Sequence, residues 1–256
     1  MTVIIDLTPV RDRTGPARLL DMVEGRSKKA FKTWLDQRPK GWKDQIEIVA
    51  MDGFTGFKTA TVEELPDAVT VMDPFHVVKL AGQALDECRR RVQQNIHGHR
   101  GRTGDPLYAA RRTLHTGRGL LTGKQRQRLD ALFTDERHIQ VEVTWGVYQQ
   151  MVAAYREPNR LKGRRLMRQV IAAISHGVPK ELGELKKLGR TVKKRAGDIL
   201  AYFDRPHTSN GPTEAINGRL EHLRGSALGF RNLTNYIARS LLETGGFRPQ
   251  LHPQIG

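Results

Sequence analysis

Two short apolar runs set the frame of this chain. Ile46, Ile48, Val49, Ala50 and Met51 lead up to Asp52, and Ala68 to Met72 lead up to Asp73. Continuous runs of this length, rich in β-branched residues and bounded by turn signals, predict strands buried on both faces. Gly53 and Gly56 turn the chain after the first run, and Phe57 to Leu65 predicts a short helix between the strands. Upstream, Val3 to Leu7 and Ala17 to Glu24 predict an antiparallel pair, with TPVRDRTGP as the turn between them. Ser27 is placed to cap a helix running to about Gln37, with Phe31, Trp34 and Leu35 as its apolar stripe and RPKGW as its stop.

From Pro74 the period changes from strand-like to helical. Helices are expected over Val77 to Arg91, Lys124 to Phe133, Val141 to Tyr155, Leu166 to Ser175 and Lys180 to Phe203. GHRGRTGDP, REPNRLKGR and HGVP read as loops between them. After Phe203, Asn210 or Gly211 can N-cap a further helix with Pro212 at its first position. On that helix Ile216, Leu220 and Leu223 form an apolar stripe, while Glu214, Asn217 and Glu221 share another face. The expected class is α/β. Residues 1–78 supply a sheet, 79–204 a helical insertion, and 205–256 the helices that return to the sheet.

Charge then narrows the partners. The chain has 256 residues, a formal net charge of +16 and a pI near 10.4, and an excess of cation on this scale attracts polyanions, nucleic acid first. The first 78 residues are nearly balanced, whereas basic runs crowd the helical block: CRRR with Arg90, HGHRGR with Arg100, ARR, RLKGRR, and KKLGRTVKKR with Lys194. A basic run is by default a solvated helix face. Five in one block favour a surface that holds double-stranded DNA. Cys88 is the single cysteine, which excludes an internal disulfide and a cysteine-based zinc module. His76, Cys88, His97 and His99 lack zinc-ligand spacing. Neither a membrane-spanning run nor a signal-peptide core is present, so the expectation is a cytoplasmic protein with no membrane partner.

Carboxylates supply the candidate chemistry. Glu214 falls in the first turn of its helix, where an acid also complements the helix dipole without any catalysis. A strand-end aspartate and a distant helical glutamate on a basic scaffold suit Mg²⁺ or Mn²⁺, whose hard-oxygen sites serve phosphoryl transfer in nucleases and transposases. Asp73, directly before Pro74, is a natural N-cap, and His76 would then face back toward the strand ends.

AMDGFTGFKTA, LPDAVTVMDPFHVVKLA and TSNGPTEAINGRLEHLRGSALGFRNL together resemble the ISL-three family of bacterial insertion-sequence transposases, over essentially the whole chain. The resemblance implies a ribonuclease-H-like core interrupted by a helical insertion, with an Asp-Asp-Glu triad using divalent metal. On that pattern Asp52 matches the second aspartate and Glu214 the glutamate, both as metal ligands. Asp73 and His76 match an acid-x-x-His element outside the triad; their capping position favours organising the site, the alternative being contact with metal or phosphate, and Asn210 and Asn217 would organise it beside the glutamate, while Arg219 and Arg224 would meet phosphate.

The first aspartate of that pattern lies on a strand upstream of the one that opens this sequence, and TVIIDLTP aligns with the second strand. Set against that pattern, the expectation is an N-terminally truncated transposase whose sheet lacks its first strand and which is without the cysteine-rich finger and helix-turn-helix that the resemblance implies for family members. Asp6 is the nearest substitute carboxylate, but on the neighbouring strand. The expected function is a DNA transposase catalytic domain, inactive as this chain, acting as a homo-oligomer on DNA or beside full-length transposase. The alternative is a catalytically dead fragment that binds DNA or transposase as an inhibitor. A stand-alone nuclease would need a third carboxylate from within the chain.

Overall fold

The structure, a computed structural model, describes residues 1–99, 101–205 and 207–247. It divides into two compact units, one formed by Met1–Asp73 with Arg205–Gly256 and the other by Pro74–Asp204.

The first unit opens with β1 (Thr2–Asp6), α1 (Thr8–Arg11), β2 (Arg18–Val23), α2 (Lys28–Asp36), α3 (Lys40–Lys43), β3 (Ile48–Met51), α4 (Thr55–Glu64) and β4 (Val69–Met72). β1 and β2 pair antiparallel from Thr2↔Val23 to Asp6↔Arg18, with a bulge between Ile4 and Ile5. β3 and β4 pair parallel from Ile48↔Val69 to Met51↔Met72, joined by α4 as a crossover helix. The class is α/β, with two small sheets beside a large helical part. Ser27 caps α2 by accepting from the Ala30 N–H at 3.1 Å. Two predicted turns contain helix: TPVRDRTGP holds α1, with Pro9 in its first turn, and RPKGW holds α3.

The second unit is all helical: α5 (Pro74–His97), α6 (Pro106–Ala109), α7 (Arg111–Leu114), α8 (Gly123–Phe133), α9 (Ile139–Arg156), α10 (Arg160–Ser175), α11 (Gly183–Lys194) and α12 (Ala196–Asp204), with 3₁₀ turns at Arg118–Leu120 and Glu136–His138. α5 packs on α9, α11 and α12, and α10 packs on the same three. Thr122 and Gln125 form a reciprocal capping box on α8. Asn159 caps α10 from the Lys162 N–H, which converts the predicted loop RLKGR into helix. The single helix expected over Lys180 to Phe203 is two, because Arg195 turns inward to pair with Asp198 at 2.5 Å. Close helix crossings rest on glycine: a Cβ at Gly189 would overlap the carbonyl of Ile174, and one at Gly163 would lie 2.7 Å from the Ala154 oxygen.

The chain then returns to the first unit with α13 (Gly211–Ser226) and α14 (Leu233–Thr244). One core gathers Phe31, Trp34, Leu35, Ala60 and Leu65 from α2, α4 and the residue after it, with Ile4, Val23 and Val49 packed on them. Another joins Leu19 and Met22 of β2 to Ile216 and Leu220 of α13, with Val3 and Ile5 against them. Alternate residues of β1 thus serve opposite cores, the period-two signature of a strand covered on both sides. Trp34 Nε1 donates to Asp21 Oδ2 at 2.7 Å and ties α2 to β2. β3 departs from expectation: Met51 is buried, but Ile48, Val49 and Ala50 are only half-buried. Among the described residues β3 pairs with β4 alone, so its other edge stays open and the strand lies at the margin of its core.

Candidate functional site

Asp52 stands one residue beyond β3, half-buried, and its Oδ1 accepts the Phe54 N–H at 2.9 Å, closing the turn into α4. The adjacent strand ends level with it. The Asp73 N–H donates to the Met51 oxygen at 3.0 Å, so Asp52 and Asp73 follow paired residues at one edge of the parallel sheet.

Asp73 is only 4% exposed, and its Oδ1 accepts the backbone N–H of Asn210 at 2.8 Å. Asn210 is the N-cap of α13, yet its side chain makes no capping bond to the helix backbone, and Pro212 is the second rather than the first helical residue. Its carbonyl accepts the Glu214 N–H at 3.0 Å. A continuous path therefore runs from the strand edge through the Asp73 carboxylate to the first turn of α13, where Glu214 sits exposed. A buried carboxylate satisfying a helix-start amide both anchors and orients that helix. Ile216 and Leu220 turn inward on it, while Asn217, Arg219 and Arg224 are exposed. Arg224 pairs with Glu221 at 3.3 Å. His76 lies in the first turn of α5, in the second unit, half-buried.

Asp6 is committed elsewhere. Its Oδ1 accepts the Thr8 N–H at 2.8 Å and its Oδ2 accepts from Arg18 at 2.6 Å. Burial pushes this carboxyl up, but the bonds from Thr8 and Arg18 outweigh it and hold the pKa below the ordinary value. Asp6 closes the β1–β2 hairpin. Hard oxygens at Asp52 and Glu214 have the chemistry for Mg²⁺ or Mn²⁺, yet among the described residues no three His, Cys, Asp or Glu converge into a metal-holding group. Asp52 and Glu214 alone leave that donor set incomplete.

The second unit carries the charge. Positions 74–204 hold 26 Lys and Arg against 12 Asp and Glu, so this stretch contributes +14 of the chain's +16. Its basic runs are not uniform faces. Within CRRR, Arg90 is exposed, Arg89 is buried against Asp86 and Gln93, and Arg91 faces Glu184 at 2.7 and 3.0 Å and Gln140 at 2.7 Å. For Glu184, burial raises the pKa, and hydrogen bonding from Arg91 outweighs it and lowers it overall. Lys194 is exposed, its neighbour Arg195 buried, and Arg100 lies outside the described residues. Arg165, within the run RLKGRR, and Arg168 are exposed at i and i+3 on α10, and reading the segment's start as loop hid that they share one helix face. The signal was Asn159, a cap directly before the helical period.

Known sequences align with this chain. The model of a transposase family, that of the ISL-three DDE transposases, matches residues 1–240. The transposase for insertion sequence element IS1557 of Mycobacterium tuberculosis, in strains CDC 1551 / Oshkosh and ATCC 25618 / H37Rv, is 27% identical over 275 residues. That match covers 97% of this chain and 60% of the relative, so the chain spans about three-fifths of the curated length it matches. No solved structure matches it significantly. Among the described residues no helix is long and apolar enough to cross a membrane. With the family model matched over nearly the full chain, and through both the strand-edge aspartates and the Glu214 helix, the chain belongs to the ISL-three family of DDE transposases.

Proposed function

We propose that this chain is the catalytic part of a DNA transposase, the first unit presenting carboxylates to a phosphodiester and the second holding the duplex. The observation that carries the reading is the path from the Asp52 strand edge through Asp73 and Asn210 to Glu214. Asp52 and Glu214 would be two of the ligands to Mg²⁺ or Mn²⁺, an ion that supplies Lewis-acid chemistry to phosphoryl transfer when bound. Asp73 and Asn210 position α13, with His76 and Asn217 as further organising groups. Arg219 and Arg224 would meet phosphate, and Arg90, Arg165, Arg168 and Lys194 would grip the backbone of double-stranded DNA.

A ribonuclease-H-like sheet is part of the same proposal. Val3, Ile4 and Ile5 make β1 apolar toward two cores, whereas β2 carries the bulge, Arg18 and Asp21, the marks of an outer strand. Arg11, just past the carboxyl end of β1, meets Glu47 at the start of β3 at 3.2 Å, so β1 runs toward the beginning of β3. A further strand between β1 and β3, antiparallel to the first and parallel to the second, would join both pairs into one mixed sheet and end beside Asp52.

The incomplete donor set favours a second reading, a fragment that binds DNA or longer transposase chains without cutting. Strand-transfer and nicking assays with Mg²⁺ or Mn²⁺ separate the two. The 256-residue chain should give no strand transfer and at most trace nicking. A chain extended at its N-terminus to the length of the curated relatives should join DNA ends, and lose that activity on Asp52→Asn or Glu214→Gln. Activity surviving both substitutions would overturn the assignment, and robust nicking by the 256 residues alone, abolished by Asp6→Asn, would make Asp6 the third ligand.

A further inference from the structure

The turn that ends α13 places a leucine where the backbone favours glycine. The Gly229 N–H donates to the Arg224 oxygen at 2.8 Å and the Leu228 N–H to the Gly225 oxygen at 3.0 Å, the paired bonds of a Schellman motif. Its left-handed position, with φ 52°, is filled by Leu228 rather than by the glycine that follows. A residue with a Cβ takes up that conformation at a penalty of roughly tenfold in population. Burial could compensate, yet Leu228 is 98% exposed. The apolar contact that commonly supports the motif has no partners either, since its two positions are Arg224 and Gly229. Among the described residues Arg13 and His207 are also left-handed without being glycine, but their side chains meet each other at 3.4 Å.

The turn has a firm base all the same. Phe230 packs its ring on Tyr236, with centroids 4.9 Å apart, and Tyr236 packs on the core around Ile216 and Leu220. A lone exposed leucine is ordinary. One held in a strained backbone on a packed support serves something other than folding. Charge indicates what it meets. From Asn217 to Arg231 the chain carries Arg219, Arg224 and Arg231 against Glu221 alone, and Arg224 and Arg231 flank the turn, both exposed. Cations beside a single apolar tip match duplex DNA, whose phosphates border an apolar stack, better than they match a protein pocket.

We propose that Leu228 is a wedge that enters between two stacked base pairs while Arg224 and Arg231 hold the adjoining phosphates, a proposal that rests on the DNA transposase reading. Leucine is among the side chains whose size and character unstack a step and kink the duplex. The pair of Arg224 with Glu221, at 3.3 Å on the surface, is weak enough to give way to phosphate. A turn already set before DNA arrives leaves less to order on binding. Leu228 follows Glu214 by 14 residues, which at 1.5 Å per residue is about 21 Å, or about six base pairs. The wedge therefore distorts DNA within about six base pairs of the phosphodiester presented to Glu214. Pyrimidine–purine steps unstack most easily, so a TA step is preferred there.

The test titrates the 256-residue chain into a short duplex whose one central TA step carries 2-aminopurine in place of adenine, an analogue that brightens when unstacked. The chain should brighten it severalfold, and should bind it about fivefold tighter than a duplex with a stiff A-tract at its centre. Leu228→Gly removes the wedge and relieves the backbone together. Its urea midpoint should rise, while the brightening and the TA preference disappear and A-tract affinity stays within about twofold. Leu228→Met keeps an apolar tip and should keep both signals. Binding without brightening, or brightening that survives Leu228→Gly, would overturn the wedge and leave the DNA reading standing. A lower urea midpoint for Leu228→Gly would assign the leucine to the fold, and self-association lost in that variant without any DNA signal would make it a protein contact; either overturns the wedge. Failure of the chain to bind any duplex at low salt would overturn the DNA reading beneath it.

Discussion

The two units divide the work of the chain by physical character. The first is nearly neutral, holds its strands in two pairs, and carries its candidate acids Asp52, Asp73 and Glu214 at strand ends and in a helix first turn. The second holds almost all the excess charge, yet part of it is paired internally: Arg89 with Asp86 and Gln93, Arg195 with Asp198, and Arg91 with Glu184 across α5 and α11. Net charge by itself therefore does not locate a DNA surface. The cations left outside after Arg89, Arg91 and Arg195 have been paired internally are the ones a duplex would meet on the proposed reading.

Salt is the largest lever on that division. With six or so phosphate contacts, duplex affinity should fall about 10³-fold between 50 and 200 mM salt, because each contact releases counterions. The double change Arg165→Glu with Arg168→Glu should flatten the slope of log affinity against log salt by about two, whereas Lys29→Glu in the first unit should leave it alone. An equal effect of both, measured by fluorescence anisotropy, would erase the proposed division.

Glycine packing comes next. Gly189→Ala forces a methyl group onto the Ile174 carbonyl and should cost about 3 kcal/mol. Hydrogen exchange should show the loss in α10 and α11 amides while β1 and β2 protection holds; loss spread evenly over both units would mean that they unfold as one.

A smaller effect is expected within the first unit. Asp73→Ala strands the Asn210 N–H and should destabilise by about 2 kcal/mol, while Asp73→Asn keeps an acceptor oxygen and should recover most of it. Equal losses in the two variants, read from urea midpoints, would remove the anchoring role.

The smallest concerns acid. Asp6 has a folded pKa below its unfolded value, so its pairing with Arg18 adds stability above the unfolded pKa and loses it as pH falls through the folded one. Arg18 is half-exposed, which screens the pair to under about 1 kcal/mol. Arg18→Gln should therefore make the urea midpoint less dependent on pH between 5 and 3; an unchanged dependence would assign it to other carboxylates.

Local chemistry made much of this legible. The strands before Asp52 and Asp73 announce themselves by apolar runs, and Ser27 marks its helix because a cap needs only its own next residues. The path to Glu214 was only half visible: Asn210 stood out as a cap, but its anchor is an acid 137 residues away. Spacing cannot reveal such a bond. Arg91 was hidden for the same reason, since its partner Glu184 lies 93 residues on, and a run of arginines looks identical whether it faces water or a buried carboxylate. The half-burial of β3 depends on what packs over and beside it from elsewhere in the chain, which no pattern within Ile48–Met51 encodes.

The bond between Asp73 and Asn210 has a consequence for the order of folding. It closes a loop that contains the entire second unit, and loop closure costs entropy that rises with the length of free chain enclosed. A continuous stretch built from neighbouring helices gathers its contacts quickly, whereas the first unit must recruit α13 and α14 from beyond it. Once the second unit has folded, that long tether is replaced by a compact body, and closure no longer carries the cost of an open loop. Refolding should accordingly show early protection in α5, α9 and α10, with the strand edge and the Glu214 helix meeting last.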